Sequence, residues 1–178
     1  LQEPEIHCVM ATQVHWSSEE LAFVGYIDWS VERGRSFALR VAVPASWEIT
    51  SVELQSASED GGWESNNQLL GDWSVAVDVQ GRKELRMDLL EALSSRNSLR
   101  TMSRARRGAA LTTEILPLAE ITEFRPRRAQ QIDGIIEMIA EGPYQIQFDD
   151  AAHQRYELRD FEEIQRWSNQ FDAIGNEM

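Results

Sequence analysis

The chain has 178 residues, 42% of them hydrophobic and 26% charged, with 30 acidic residues against 17 basic ones and a formal net charge of −13. This size and balance fit one globular domain, alone or with a small appendage, and not a disordered or membrane chain. The acidic excess also excludes general binding to nucleic acid or anionic membranes, which clustered positive charge drives.

Cys8 is the single cysteine, so an internal disulfide and a multi-cysteine zinc site are both ruled out. No run approaches the roughly 18 apolar residues of a membrane-crossing helix. The opening LQEPEIHC lacks both a basic region followed by an apolar run and an initiator Met. It reads as the start of a mature chain or of a piece cut from a longer one, and the compartment stays open.

From Ile6 to Trp16 the even positions Cys8, Met10, Val14 and Trp16 are apolar and the odd ones include His7, Gln13 and His15, which predicts a strand with one wet face. Ser17-Ser18-Glu19 turns. Leu21, Phe23, Ile27, Trp29 and Val31 then share one parity, while Ala22, Val24 and Tyr26 make the other face apolar as well, as in a central strand. After the turn Glu32-Arg33-Gly34-Arg35, the segment SFALRVAVPASWEITSVEL gives the clearest strand, corner, strand signal in the chain. Phe37, Leu39, Val41 and Val43 alternate toward a core, and Pro44-Ala45-Ser46 makes the corner. Trp47, Ile49, Val52 and Leu54 then resume an extended run. Three strands joined by such short connections predict an antiparallel meander.

Residues 55–68 are rich in Ser, Asn, Gly and acids and read as a long exposed loop, with Trp63 isolated in its middle. Trp73, Val75, Val77 and Val79 alternate, Gln80-Gly81-Arg82 turns, and Leu85, Met87 and Leu89 alternate again. Leu85, Leu89, Ala92 and Leu93 also match helical spacing, but the tight turn before them favours a hairpin. Residues 94–107 form a basic island whose strand reading puts Arg100, Arg104 and Arg106 on one face. Pro117 and Pro126 make the stretch around 115–124 irregular or an edge. Ile132 to Ala140 is a short, strongly apolar segment, and Tyr144, Ile146 and Phe148 alternate after Gly142-Pro143.

The end differs in kind. Phe161, Ile164, Trp167, Phe171 and Ile174 recur at steps of three and four, Asp160 can cap the run, and Gly175 stops it, so one amphipathic C-terminal helix is expected. The chain is therefore expected to be mainly β: an antiparallel β-sandwich of about nine or ten strands over 1–150, with a C-terminal α-helix in 151–178 that packs on it or leads to a next domain.

Few constellations suggest chemistry. The six tryptophans invite a carbohydrate-binding reading, since flat rings pack against sugar faces, yet Trp16, Trp29, Trp47, Trp73 and Trp167 all fall on apolar stripes, where core packing is the simpler role. Trp63 is the exception and the candidate ligand contact. His7 and His15 share a strand face but stand roughly 26 Å apart along it, too far to share an ion. His153 beside Asp149 and Asp150, and Glu59-Asp60-Gly61-Gly62, read as solvated acidic loops, for no ordered calcium-loop alternation is present. Cys8 has only His7 nearby, on the opposite strand face, and no nucleophile elbow or phosphate-binding glycine loop occurs. Arg100, Arg104 and Arg106 are candidates for an anion or an acidic partner, against the plainer role of a solvated face balancing the acidic remainder. No catalytic residue, metal or cofactor is expected.

The order ALRVAVPASWEITSVEL, a loop with a Trp, GRKELRMDLLEAL, an Arg-rich strand and LPLAEI resembles β-sandwich modules of large uncharacterised bacterial cell-envelope proteins. The resemblance covers about residues 20 to 140 and implies a non-catalytic structural or interaction module of a larger exported protein. Its partners would be other domains or proteins of the envelope. The alternatives are a carbohydrate-binding module or the accessory sandwich domain of a polysaccharide-processing enzyme.

Overall fold

Alternation with a period of two shapes most of the described residues. The computed structural model describes residues 3–17, 20–58, 62–108, 121 and 123–140. The chain divides into two units, Leu1–Gln145 and Ile146–Met178, and every described residue belongs to the first. The expected C-terminal helix, and with it Trp167, lies outside the described residues. So do His153 with its neighbouring acids, the 142–148 segment, and most of 115–124.

Ten strands occur among the described residues: β1 (Glu5–Trp16), β2 (Glu20–Arg33), β3 (Arg35–Val43), β4 (Glu48–Ala57), β5 (Trp63–Ser65), β6 (Leu70–Val77), β7 (Lys83–Ser94), β8 (Leu99–Gly108), β9 (Arg125–Pro126) and β10 (Gln130–Ala140). They form a six-stranded sheet in the order β10-β1-β2-β8-β4-β5 and a four-stranded sheet in the order β6-β7-β3-β9. The protein is thus mainly β, as its alternation predicts. Both sheets supply one core: Phe23, Trp29 and Leu54 come from the first, and Leu39, Val41, Leu85 and Met87 from the second.

The central position expected for β2 is observed. It pairs antiparallel with β1 on one side and β8 on the other, and Leu21, Phe23, Ile27, Trp29 and Val31 are all buried. The expected meander, however, stops there. β3 does not pair with β2 but crosses into the other sheet, where its partners are β7 and β9. The crossing is made at Gly34, whose φ of +83° is reached without strain only by glycine, and Pro4 backbone lies 3.0 Å from where a Cβ would stand.

Two β-bulges change which residues face inward. One lies between Ser36 and Ala38, where the Ser36 hydroxyl donates to the Ala38 carbonyl at 2.8 Å. Between the pairs Ser36–Leu93 and Ala38–Asp88 the single Phe37 of β3 stands against four residues of β7, and this odd difference reverses the parity before it, so Phe37, expected in the core, is 58% exposed while Leu39, Val41 and Val43 are buried. The second, between Ile49 and Ser51, lets Ile49 and then Val52 and Leu54 all point inward despite their odd spacing. The corner between them forms as expected, with the Trp47 amide donating to the Pro44 carbonyl at 3.1 Å. Trp47 then sits in an aromatic cluster: Phe23 and Phe124 stack at 3.9 Å between centroids, and Trp47 meets both edge-on at 5.9 and 5.5 Å.

The segment 55–68 is shorter as a loop than its composition predicts. β4 runs on to Ala57, and β5 returns antiparallel to it, pairing Trp63 with Ala57. The hairpin expected at Gln80-Gly81-Arg82 does form, joining β6 to β7. The Asp78 carboxylate organises that turn, accepting from the amides of Gln80 and Arg82 at 2.8 and 2.9 Å and from Arg82 Nε at 2.6 Å. These donors hold its pKa below the usual carboxylate value. One pairing departs from the expected antiparallel pattern, since β10 lies parallel to β1 along the edge of the larger sheet. Parallel neighbours need a long connection rather than a hairpin, which is why adjacency in sequence gives no sign of this pair.

Candidate functional site

Arg100, Arg104 and Arg106 share one face of β8, as the strand reading requires, and each faces an acid on a neighbouring strand. Arg100 and Asp28 are register partners across β8 and β2, and they form a two-pronged pair, Nε to Oδ1 at 2.5 Å and Nη2 to Oδ2 at 2.7 Å. The Arg100 side chain is only 3% exposed. Arg104 reaches Glu53 at 3.8 Å, and Arg106 reaches Glu48 at 3.2 Å, both on β4. The acids that balance the basic island are therefore supplied by the two strands flanking it.

Trp63 stands at the far end of the same sheet, half-buried on β5. The Arg100 guanidinium lies 4.4 Å above the centre of its ring, a cation–π contact between residues 37 positions apart. Trp63 is thus part of a packed group, Asp28–Arg100–Trp63, rather than an isolated aromatic in a loop. Only the cross-strand register joins these residues, and sequence spacing carries no signal of it.

The other candidates separate cleanly. Cys8 is 1% exposed, its thiol donates to the Gln130 carbonyl at 3.6 Å, and burial pushes its pKa up to about 11, so it is a poor nucleophile at neutral pH. His7 meets Glu32 at 3.3 Å, and with Glu5 the three offer ligand atoms within 4.8 Å of one another. That triad has the donor types of a divalent-cation site. With both glutamates exposed, an ion pair accounts for it equally well. The bulge between Glu5 and Ile6 brings Glu32 into reach, which strand parity alone does not show.

A third feature is apolar. On β6, Trp73, Val75 and Val77 lie on the same side as their register partners Met87, Leu85 and Lys83 on β7. Leu85 and Met87 are fully buried and Trp73 packs against the core. Beyond it the row leaves its cover: Val75 is 37% exposed, Val77 60% and Val79 fully exposed. β6 is also an edge strand of its sheet. A core-facing apolar row that outruns its core, on a strand whose outer edge is unpaired among the described residues, is a surface suited to docking.

No family model matches the chain, and no curated protein matches it. Among solved structures it is similar to a mutant M1 zinc metallopeptidase from Deinococcus radiodurans, with 10% identity and a TM-score of 0.37 over 65% of this chain and 23% of that one. It is also similar to a mutant two-domain M1 zinc metallopeptidase bound to L-tryptophan, with 9% identity and a TM-score of 0.37 over 64% of this chain and 22% of that one. The chain therefore spans less than a quarter of the length of these proteins, and a likeness this slight carries no functional weight.

Proposed function

We propose that this chain is a non-catalytic β-sandwich that serves as a structural or protein-interaction module of a larger exported bacterial protein. Its partner would be a neighbouring domain or another protein of the cell envelope. The observation that carries this reading is the valine row of β6, which continues the inner face of the four-stranded sheet past the end of its core. Burying about 25 cal/mol for each Å² of such apolar surface is the ordinary driving force for association. The two sheets feeding a single core supply the rigid frame, and the envelope setting is what the resemblance at 20–140 implies. Carbohydrate binding at Trp63 ranks second, because one face of that ring is already covered by Arg100.

The test is amide hydrogen exchange over residues 70–77, in this chain alone and in the full-length product of its gene. A docked neighbour should slow exchange there by about tenfold or more, as expected when an edge strand is covered. Val77→Asp should abolish that difference without altering the fold. Equal exchange in the two proteins would remove β6 as the docking surface.

A further inference from the structure

The end of the molecule where β2 hands over to β3 contains an open cleft of ≈ 470 Å³. Buried Ile6, Trp29 and Leu39 form its apolar wall, and Pro4 and Phe37 stand at the side. Four arginines line it as well: Arg35, Arg40, Arg127 and Arg128. Arg40 is engaged, its Nη1 donating to Glu84 at 3.0 Å. Arg35, Arg127 and Arg128 have no carboxylate within ion-pair distance among the described residues, although Glu3 also lines the cleft. This contrasts with Arg82, Arg86, Arg100, Arg104 and Arg106, each of which has an acid in reach.

In a chain of net charge −13, three guanidiniums with no ion-pair partner among the described residues line one recess, where Glu3 is the one acidic residue among those lining it. Two backbone irregularities converge on the same place. The bulge between Ser36 and Ala38 turns Phe37 out of the core and onto the cleft. Arg128 has φ +57°, the left-handed region that a non-glycine residue occupies at a cost. It is held there by β9, which pairs with β3, and by the Arg127 amide, which donates to the Arg40 carbonyl at 2.8 Å. Bulges and held left-handed residues recur where a protein aims side chains at a ligand.

We propose that this cleft is a binding site for a small organic anion, an oxyanion head on an apolar body. The head would be a carboxylate or phosphate taken by Arg35, Arg127 and Arg128, whose planar guanidiniums suit such groups, and the body would lie along Phe37 and the apolar wall. The volume matches a small-molecule site rather than a macromolecular groove. The site lies away from β6 and does not depend on the docking reading.

The test is isothermal titration of the 178-residue chain with 1-naphthyl phosphate, 1-naphthoate, inorganic phosphate and 1-naphthol. One naphthyl anion should bind with a stoichiometry of one, at least about tenfold more tightly than phosphate or naphthol, since head and body both contribute. The tighter of the two anions names the head. Arg127→Ala combined with Arg128→Gly should weaken it by about tenfold or more, while Arg82→Ala, in the β6–β7 turn and outside the cleft lining, should leave it unchanged. Glycine relieves the backbone at 128, so loss of binding there reports the missing guanidinium and not a damaged fold. Absence of saturable binding by either naphthyl anion, equal affinity for naphthol, or undiminished affinity in the double variant would each overturn the proposal.

Discussion

Arg100 shows how a charge is made tolerable inside this protein. Its guanidinium is 3% exposed, held by both oxygens of Asp28, and laid over the ring of Trp63. Removing one member of such a pair leaves the other buried without its partner, which costs more than the pair itself contributes. Asp28→Ala should therefore destabilise the fold by about 2–3 kcal/mol, below the usual range for a fully buried pair because Asp28 retains access to water. Replacing both, Asp28→Leu with Arg100→Met, should recover much of that loss. Urea unfolding of the two variants checks both statements, and equal destabilisation of the single and double variants would contradict them. The sequence makes Arg100 visible as a member of a basic island, but its partners lie 72 and 37 positions away, and only the register of β2, β8, β4 and β5 brings them together. Side-chain groups formed across strands are for that reason the least legible part of the molecule.

Strands are legible where burial on one face imposes a strict period of two. β1, β2 and β7 follow that period closely enough that most of their core residues can be named from sequence. The misreadings have specific causes. The bulge before Ala38 moved Phe37 outward, β5 is too short to carry a pattern, and β3 changes sheet at Gly34 with nothing in its own composition to mark the change. Turns are more transparent, because their geometry depends on few residues. At the β6–β7 turn Gly81 has φ +76° and open space where a Cβ would be, so backbone conformation alone resists substitution there. Gly81→Ala should lower stability by about 1 kcal/mol, with thermal unfolding as the measure. An unchanged midpoint would mean that the turn relaxes at no cost.

At the scale of the whole molecule, the question is whether two sheets behave as one body. Phe23 on the six-stranded sheet, Trp47 at the corner between β3 and β4, and Phe124 just before β9 meet in one aromatic cluster, and residues of both sheets surround it. Phe124→Ala should cost about 3–5 kcal/mol by opening a cavity there. Because the core is shared, the variant should still unfold in a single transition, reported alike by near-ultraviolet and far-ultraviolet circular dichroism. Separate transitions for the two probes would mean that the sheets unfold independently. The mainly β class and the central place of β2 follow from composition and alternation. The division into six and four strands does not, because it is decided by which apolar faces meet rather than by any one strand.

The parallel seam between β1 and β10 also bears on how the protein comes into being. Cys8 and Gln130 touch there, yet 122 positions separate them. When a chain is delivered N-terminal end first, β1 emerges before β10, and the edge that β10 covers stays open until residue 140 has followed. Closing so long a span is slow compared with zipping up a hairpin. For that interval the newborn protein carries an open, hydrogen-bonding strand edge that the finished one hides. Its productive maturation thus depends on β10 arriving before another chain finds that edge.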